Sequence, residues 1–171
     1  MSIRRGSNSL KAWAVALPFV ALGSAAAVAA DDEHRGPVRL TPSEIPWPAS
    51  PATLQAGSSM QGGVESLIVY GDAGKPALYS IMFRVLPNAA IPAHSHPDDR
   101  SCFVVTGVWY FGYGDKFDAA ALKALPAGSH YTEPSNVNHF AGTKKRAAVV
   151  ECTSIGPAGT TFVDPKDDPR H

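Results

Sequence analysis

Residues 93–107 read AHSHPDDRSCFVVTG. Two histidines, His94 and His96, stand one residue apart. On a strand that spacing puts both rings on one face, because side chains alternate with a period of two. A β-branched and aromatic run follows, SCFVVTGVWYFGYG at 101–114, interrupted by Gly107. Such residues suit a pleated, half-buried surface. Between the pair and the run stands Arg100, whose guanidinium has five donors and no lone pair for a cation. The stretch joins a pair of metal-ligand type to a fixed positive charge, both on strands.

Outward from it, short strand-like runs recur with turn signals between them. SLIVY (66–70) ends in GDAGKP, and ALYSIMFRVL (77–86) ends in PNAAIP. After the long run come ALKAL (121–125), SHYTE (129–133), VNHFAG (137–142), AAVVECTSI (147–155) and TTFVD (160–164). The pattern predicts an all-β sandwich or barrel over 64–171, with one short helix near Lys116–Leu122 capped by Asp115. Composition agrees: 44% of the 171 residues are hydrophobic, and 15 Gly with 15 Pro favour many short elements joined by turns.

The N-terminal third reads differently. Arg4, Arg5 and Lys11 precede the apolar run AWAVALPFVAL, and small residues follow up to AVAADDEH. This predicts a secretory leader over 1–30, cut after Ala29 or Ala30; the alternative is an uncleaved anchor. Losing 1–29 leaves twelve basic and fifteen acidic residues, a net charge of −3. A mildly acidic domain without a basic run is not built for nucleic acid, so a small molecule is the expected partner, in the periplasm or outside the cell. Residues 31–63, with Pro42, Pro46, Pro48 and Pro51, read as an extended arm anchored by Ile45, Trp47 and Leu54. The alternative is a disordered linker.

A third histidine, His139, comes much later in PSNVNHF. Three imidazoles from two distant strands make a facial set suited to Fe, Zn, Ni, Cu or Mn. The alternative is ordinary surface or core histidines.

At these residues the chain resembles the cupins. Their first motif is a Gly, five residues, HxH, a short spacer, Glu, six residues and Gly. Here Asn88 is followed by AAIPA, then His94, Ser95 and His96, then PDD, Arg100, SCFVVT and Gly107. Their second motif is Gly, five residues, PxGxxH, three residues and Asn. Here Gly128 is followed by SHYTE, Pro134, Ser135, Asn136, His139, FAG and Thr143. The segments LTPSEIPW, YGDKFD, ALPAG and VDPKDDP also look like those of small single-domain cupins, so the resemblance runs from about Arg39 to Pro169. It implies a jelly-roll barrel (a double-stranded β-helix), a dimer, and one divalent transition metal on His94, His96 and His139. Asn at two glycine positions keeps a left-handed turn within reach.

Arg100 replaces the family's Glu ligand. Three readings stand: it grips an anionic substrate, it pairs with a carboxylate from Asp98, Asp99 or Glu151, or it bends out to solvent. Substrate-binding roles are expected for Arg100, Glu151 and Tyr131. An inward Glu151 would turn Cys152 outward, so parity predicts no Cys102–Cys152 disulfide. The resemblance implies a metal-dependent enzyme, dioxygenase-like because the acid ligand is missing, on a small anionic molecule. Two alternatives from other classes are a non-catalytic binding protein and a metal-free structural cupin.

Overall fold

The computed structural model describes residues 36–48 and 56–171. The expected leader and Leu54 lie outside them. Among the described residues ten strands form: β1 (Val64–Tyr70), β2 (Leu78–Val85), β3 (Ala90–Ser95), β4 (Arg100–Thr106), β5 (Val108–Tyr113), β6 (Lys123–Pro126), β7 (His130–Glu133), β8 (His139–Gly142), β9 (Ala148–Ile155) and β10 (Thr161–Phe162). They make two five-stranded antiparallel sheets, ordered β1-β2-β9-β4-β7 and β10-β3-β8-β5-β6. The inner faces share one core, with Ile81, Val104 and Val150 from the first sheet and Ile91, Trp109, Phe111 and Ala141 from the second. This is the expected all-β jelly-roll barrel. Among the described residues no helix is long and apolar enough to cross a membrane.

Four differences from the sequence reading have physical reasons. The long run at 101–114 is two strands in different sheets. Gly107, at φ 79°, makes the corner, and a Cβ there would stand 2.3 Å from the Ala147 carbonyl oxygen. The strand β3 carries Pro92 and His94, which hides it from a hydrophobic scan; its ladder with β8 is irregular between Ile91 and His94, where a missing N–H is tolerated. The helix expected at 116–122 is a turn instead. Asp118 accepts the Ala120 N–H, a side-chain bond that competes with helix formation. The cysteines are joined: Cys102 on β4 and Cys152 on β9 face each other and form a disulfide.

In the arm, Ile45 and Trp47 are half-buried, and the Arg84 guanidinium sits 4.8 Å over the Trp47 ring. Farther along, Ser58 and Ser59 are buried, and Thr160 Oγ1 donates to the Ser58 carbonyl at 2.9 Å. This brings residues 57–59 against the site.

Candidate metal centre

The three histidines converge. His94 near the end of β3 pairs in register with His139 at the start of β8, and His96 lies just past β3. Ring centroids are 4.4 to 5.1 Å apart, and all three residues are at most 5% exposed. Each Nδ1 meets a backbone carbonyl: Pro92 at 2.7 Å for His94, Gly159 at 2.6 Å for His96 and Val137 at 3.0 Å for His139. A carbonyl only accepts, so each Nδ1 carries the proton and each Nε2 keeps its lone pair. One ligand nitrogen from each ring lies within 4.8 Å of the others. Phe111 stacks on His139 at 5.4 Å and Phe162 packs against His94 at 5.6 Å, which fixes both rings.

Burial pushes the His94 imidazole down to about 3, helped by His139 and by Arg100. His96 is held well below its ordinary value by burial, then by the Arg100 charge. Both rings therefore stay neutral at ordinary pH, as metal ligands must be. The His139 Nε2 is buried without a hydrogen-bond partner. A buried acceptor of that kind needs an explanation, and a bound cation supplies one.

Arg100 points inward and is 2% exposed. Its Nε donates to Asp98 Oδ2 at 3.1 Å, its Nη2 to Asp98 Oδ1 at 3.3 Å, and its Nη1 to the Gly57 carbonyl at 2.8 Å. Gly57 has φ 84°, and a Cβ there would stand 2.9 Å from Arg100 Nη2, so only glycine permits this approach. Glu133 lies opposite Arg100 in the β4–β7 register, with Oε2 3.6 Å from Arg100 Nη1. Burial opposes the Arg100 charge, but Glu133, Tyr79 and Asp98 outweigh it and raise its pKa. Burial likewise pushes the Asp98 carboxyl up, and Arg100 with the Tyr79 hydroxyl at 2.6 Å brings it down on balance.

Of the three readings of Arg100, pairing with a carboxylate is the one realised. The partners are Asp98 and Glu133, not Glu151. In the β4–β9 register Cys152 meets Cys102 inside the barrel, which turns Glu151 to the outer face, where it accepts the Ser80 hydroxyl at 2.6 Å. The same parity corrects the expectations for Glu151 and for the disulfide. Tyr131 faces inward and is buried, and burial, then the Glu133 charge, hold its hydroxyl well above the usual phenol range. His130 faces outward and meets Ser101 Oγ at 3.1 Å.

Glu133 is the residue the sequence reading missed. Its Oε2 lies 3.5 Å from His96 Nε2, and its Oε1 lies 3.9 Å from His139 Nε2. The Oε2 is buried without a hydrogen-bond partner. A signal was present: Glu133 shares the parity of Tyr131 on SHYTE, just before the turn that leads to His139. An acid thus stands beside the histidines after all, on the strand next to the one expected. A small cavity of about 30 Å³ opens among the histidines, Arg100, Glu133, Tyr131 and Trp109, enough for an ion with one or two small ligands.

The polyketide cyclase RemF from Streptomyces resistomycificus matches at 16% identity over 78% of this chain and 90% of that one, with a TM-score of 0.57. The DMSP lyase DddQ from Ruegeria pomeroyi DSS-3 matches at 17% identity over 68% of this chain, with a TM-score of 0.52. This chain spans only 59% of the lyase. An RmlC-like cupin from Shewanella frigidimarina NCIMB 400 matches at 20% identity over 56% of this chain and 78% of that one, with a TM-score of 0.45. No protein-family profile matches the chain, and no curated protein does. The likeness to RemF and to the lyase is one of fold. The chain is a cupin by fold.

The chain keeps the turns of both motifs without their glycines. Asn88 and Asn136 take φ 61° and 59°, the left-handed values that Asn tolerates best among residues with a side chain. Thr143, at the final position of the second motif, accepts the Ala89 N–H at 3.1 Å and donates to the Leu86 carbonyl. These bonds tie the turn before β3 to the end of β8 and hold the strands that carry the histidines in register.

Proposed function

We propose that this cupin is a metal-dependent enzyme acting on a small anionic molecule, with His94, His96 and His139 holding one divalent transition ion and Glu133 serving as proton acceptor. The observation that carries the reading is the convergence of three Nε2 lone pairs beside Glu133, whose buried Oε2 has no hydrogen-bond partner. When bound, the ion supplies Lewis-acid polarisation of an oxygen donor. Glu133 Oε2 is placed to take a proton from a molecule in that cavity, and Arg100 orients the carboxylate from behind. Tyr131, held neutral, donates its hydroxyl to a ligand oxygen.

Charge supports an anionic ligand. Three neutral imidazoles with a divalent ion carry +2. Arg100 adds one positive charge, and Asp98 and Glu133 remove two, so the loaded site carries about +1. A monoanion neutralises it. The dioxygenase expectation rested on the lack of an acid beside the histidines, and Glu133 removes that ground. Proton-transfer chemistry fits this donor set better. An exported location remains part of the proposal, resting on the leader-like start of the sequence.

The test loads the full chain with Zn(II), Mn(II), Ni(II) or, anaerobically, Fe(II), and offers small carboxylates. Solvent deuterium exchange at the carbon beside the carboxylate is followed by NMR, alongside oxygen consumption. Exchange that drops about a hundredfold in Glu133→Gln, without oxygen uptake, is expected. Ligand-induced thermal stabilisation with no exchange would instead favour a binding protein, and oxygen uptake would restore the dioxygenase reading.

A further inference from the structure

Among the described residues four buried side-chain polar atoms have no hydrogen-bond partner: Ser59 Oγ, Trp109 Nε1, Glu133 Oε2 and His139 Nε2. All four residues line the same cavity. Unpaired buried polar atoms are scarce in folded chains, so four around one space mark what a ligand there must satisfy. Glu133 and His139 already have roles toward the proton and the ion. Ser59 and Trp109, only 6% and 4% exposed, have none.

The ladders set where these two stand. His139 pairs with Tyr113 on β5, and Trp109 lies four residues back along that strand, past Phe111, whose ring meets both His139 and Tyr131. Burial, then Glu133, raise the Tyr131 pKa, and Arg100 and the Trp109 N–H draw it back, so the indole nitrogen stands near that hydroxyl without bonding to it. Ser59 comes from the arm, two residues beyond the Gly57 that Arg100 holds. Phe83, Val85, Ile91 and Val150 complete the wall. The cavity thus has a charged end, at the histidines, Arg100 and Glu133, and an apolar end with neutral donors.

We propose that Ser59 and Trp109 determine the specificity of this site, and that its ligand is a short oxo-acid with the carboxylate toward the ion and the carbonyl oxygen at the Ser59 hydroxyl and the Trp109 N–H. The carboxylate end rests on the function proposed above; the carbonyl end rests on the two unpaired donors. A carboxylate at the apolar end, with no cation beside it, is costly to bury. An indole N–H only donates, so the group it meets is an acceptor. A carbonyl oxygen has two lone pairs and takes both donors, whereas a hydroxyl brings a hydrogen that the apolar wall leaves unpaired. A plain fatty acid leaves both donors unpaired, and on that ground the site rejects it.

The test titrates the Zn(II)-loaded full chain with levulinate and with pentanoate, acids of equal chain length that differ by one carbonyl, and follows binding by calorimetry. Levulinate is expected to bind about tenfold or more tightly than pentanoate. Trp109→Phe and Ser59→Ala should each cut that preference several-fold, and the double variant should abolish it. Glu133→Gln should keep it, so the donors are tested apart from the proton transfer proposed above. Without ligand, Ser59→Ala should unfold at the same temperature as the wild type or higher, because its hydroxyl has no bond to lose. A lower unfolding temperature would mark Ser59 as structural and overturn its role. Equal affinity for the two acids, or binding of neither, overturns the proposal. So does a preference that survives the double variant, since the ion alone would then account for it.

Discussion

The two sheets divide the site between them. The sheet β10-β3-β8-β5-β6 supplies the three histidines, all oriented by backbone carbonyls. The sheet β1-β2-β9-β4-β7 supplies Arg100, Glu133, Tyr131 and the cysteine pair, whose polar groups are oriented chiefly by one another. The first half follows the family spacing. In the second half the positions are kept but the charges are rearranged: a cation occupies the family's acid position and an acid stands opposite it on the next strand. Main-chain bonds tolerate sequence change around them, whereas a buried ion network needs every member.

The largest effect expected from breaking that contrast is on Arg100. Arg100→Met leaves Asp98 and Glu133 buried without their cation, so the metal-free protein should lose ~3–5 kcal/mol in chemical denaturation. The same variant should bind a divalent ion roughly tenfold more tightly, because a nearby positive charge is gone. Opposite signs for stability and affinity are the signature. If both fall together, Arg100 serves the ion rather than opposing it.

The cysteine pair belongs to the same sheet and gives the next effect. The disulfide closes a loop of 50 residues in sequence separation. In the chain-entropy treatment its loss costs about 4 kcal/mol. Cys102→Ala with Cys152→Ala should therefore lower the denaturation midpoint strongly while leaving metal binding at the histidines in place. Loss of that binding would show that the two sheets are coupled more tightly than the contacts indicate.

Acid sharpens the contrast further. In the metal-free protein His94 stays neutral to about pH 3, and His96 is also depressed, while an unfolded histidine takes a proton near 6.5. The unfolded chain therefore binds more protons as pH falls below 6.5, and stability declines from there toward pH 3. The slope approaches about 1.4 kcal/mol per pH unit for each such histidine. The depressed Asp98 acts in the same direction at lower pH. Denaturation midpoints between pH 7 and 4 check this, and His94→Gln should flatten the curve by one histidine's share.

The fold was legible because strand runs and Asn turns each depend on a few neighbouring residues. The histidine centre was legible because the two spaced motifs of the cupin resemblance carry His94, His96 and His139. The second half depends on register across strands, which sequence spacing does not give. Whether Cys152 or Glu151 faces inward is decided by which β9 residue meets Cys102, and a slip of one residue reverses the answer. Glu133 was hidden for the same reason: its partner Arg100 is 33 positions away in the chain and adjacent only in the ladder. The short helix failed on local chemistry, since Asp118 forms its own turn bond.

The most direct test is metal content and affinity in three proteins purified without chelators: the wild type, His94→Ala and Glu133→Gln. One ion per wild-type chain at the histidine centre, an affinity more than about a hundredfold weaker in His94→Ala, and one about ten- to a hundredfold weaker in Glu133→Gln are expected. Equal metal content and affinity in all three would contradict the account, because the converging imidazoles and the relocated acid would then have no ion to hold.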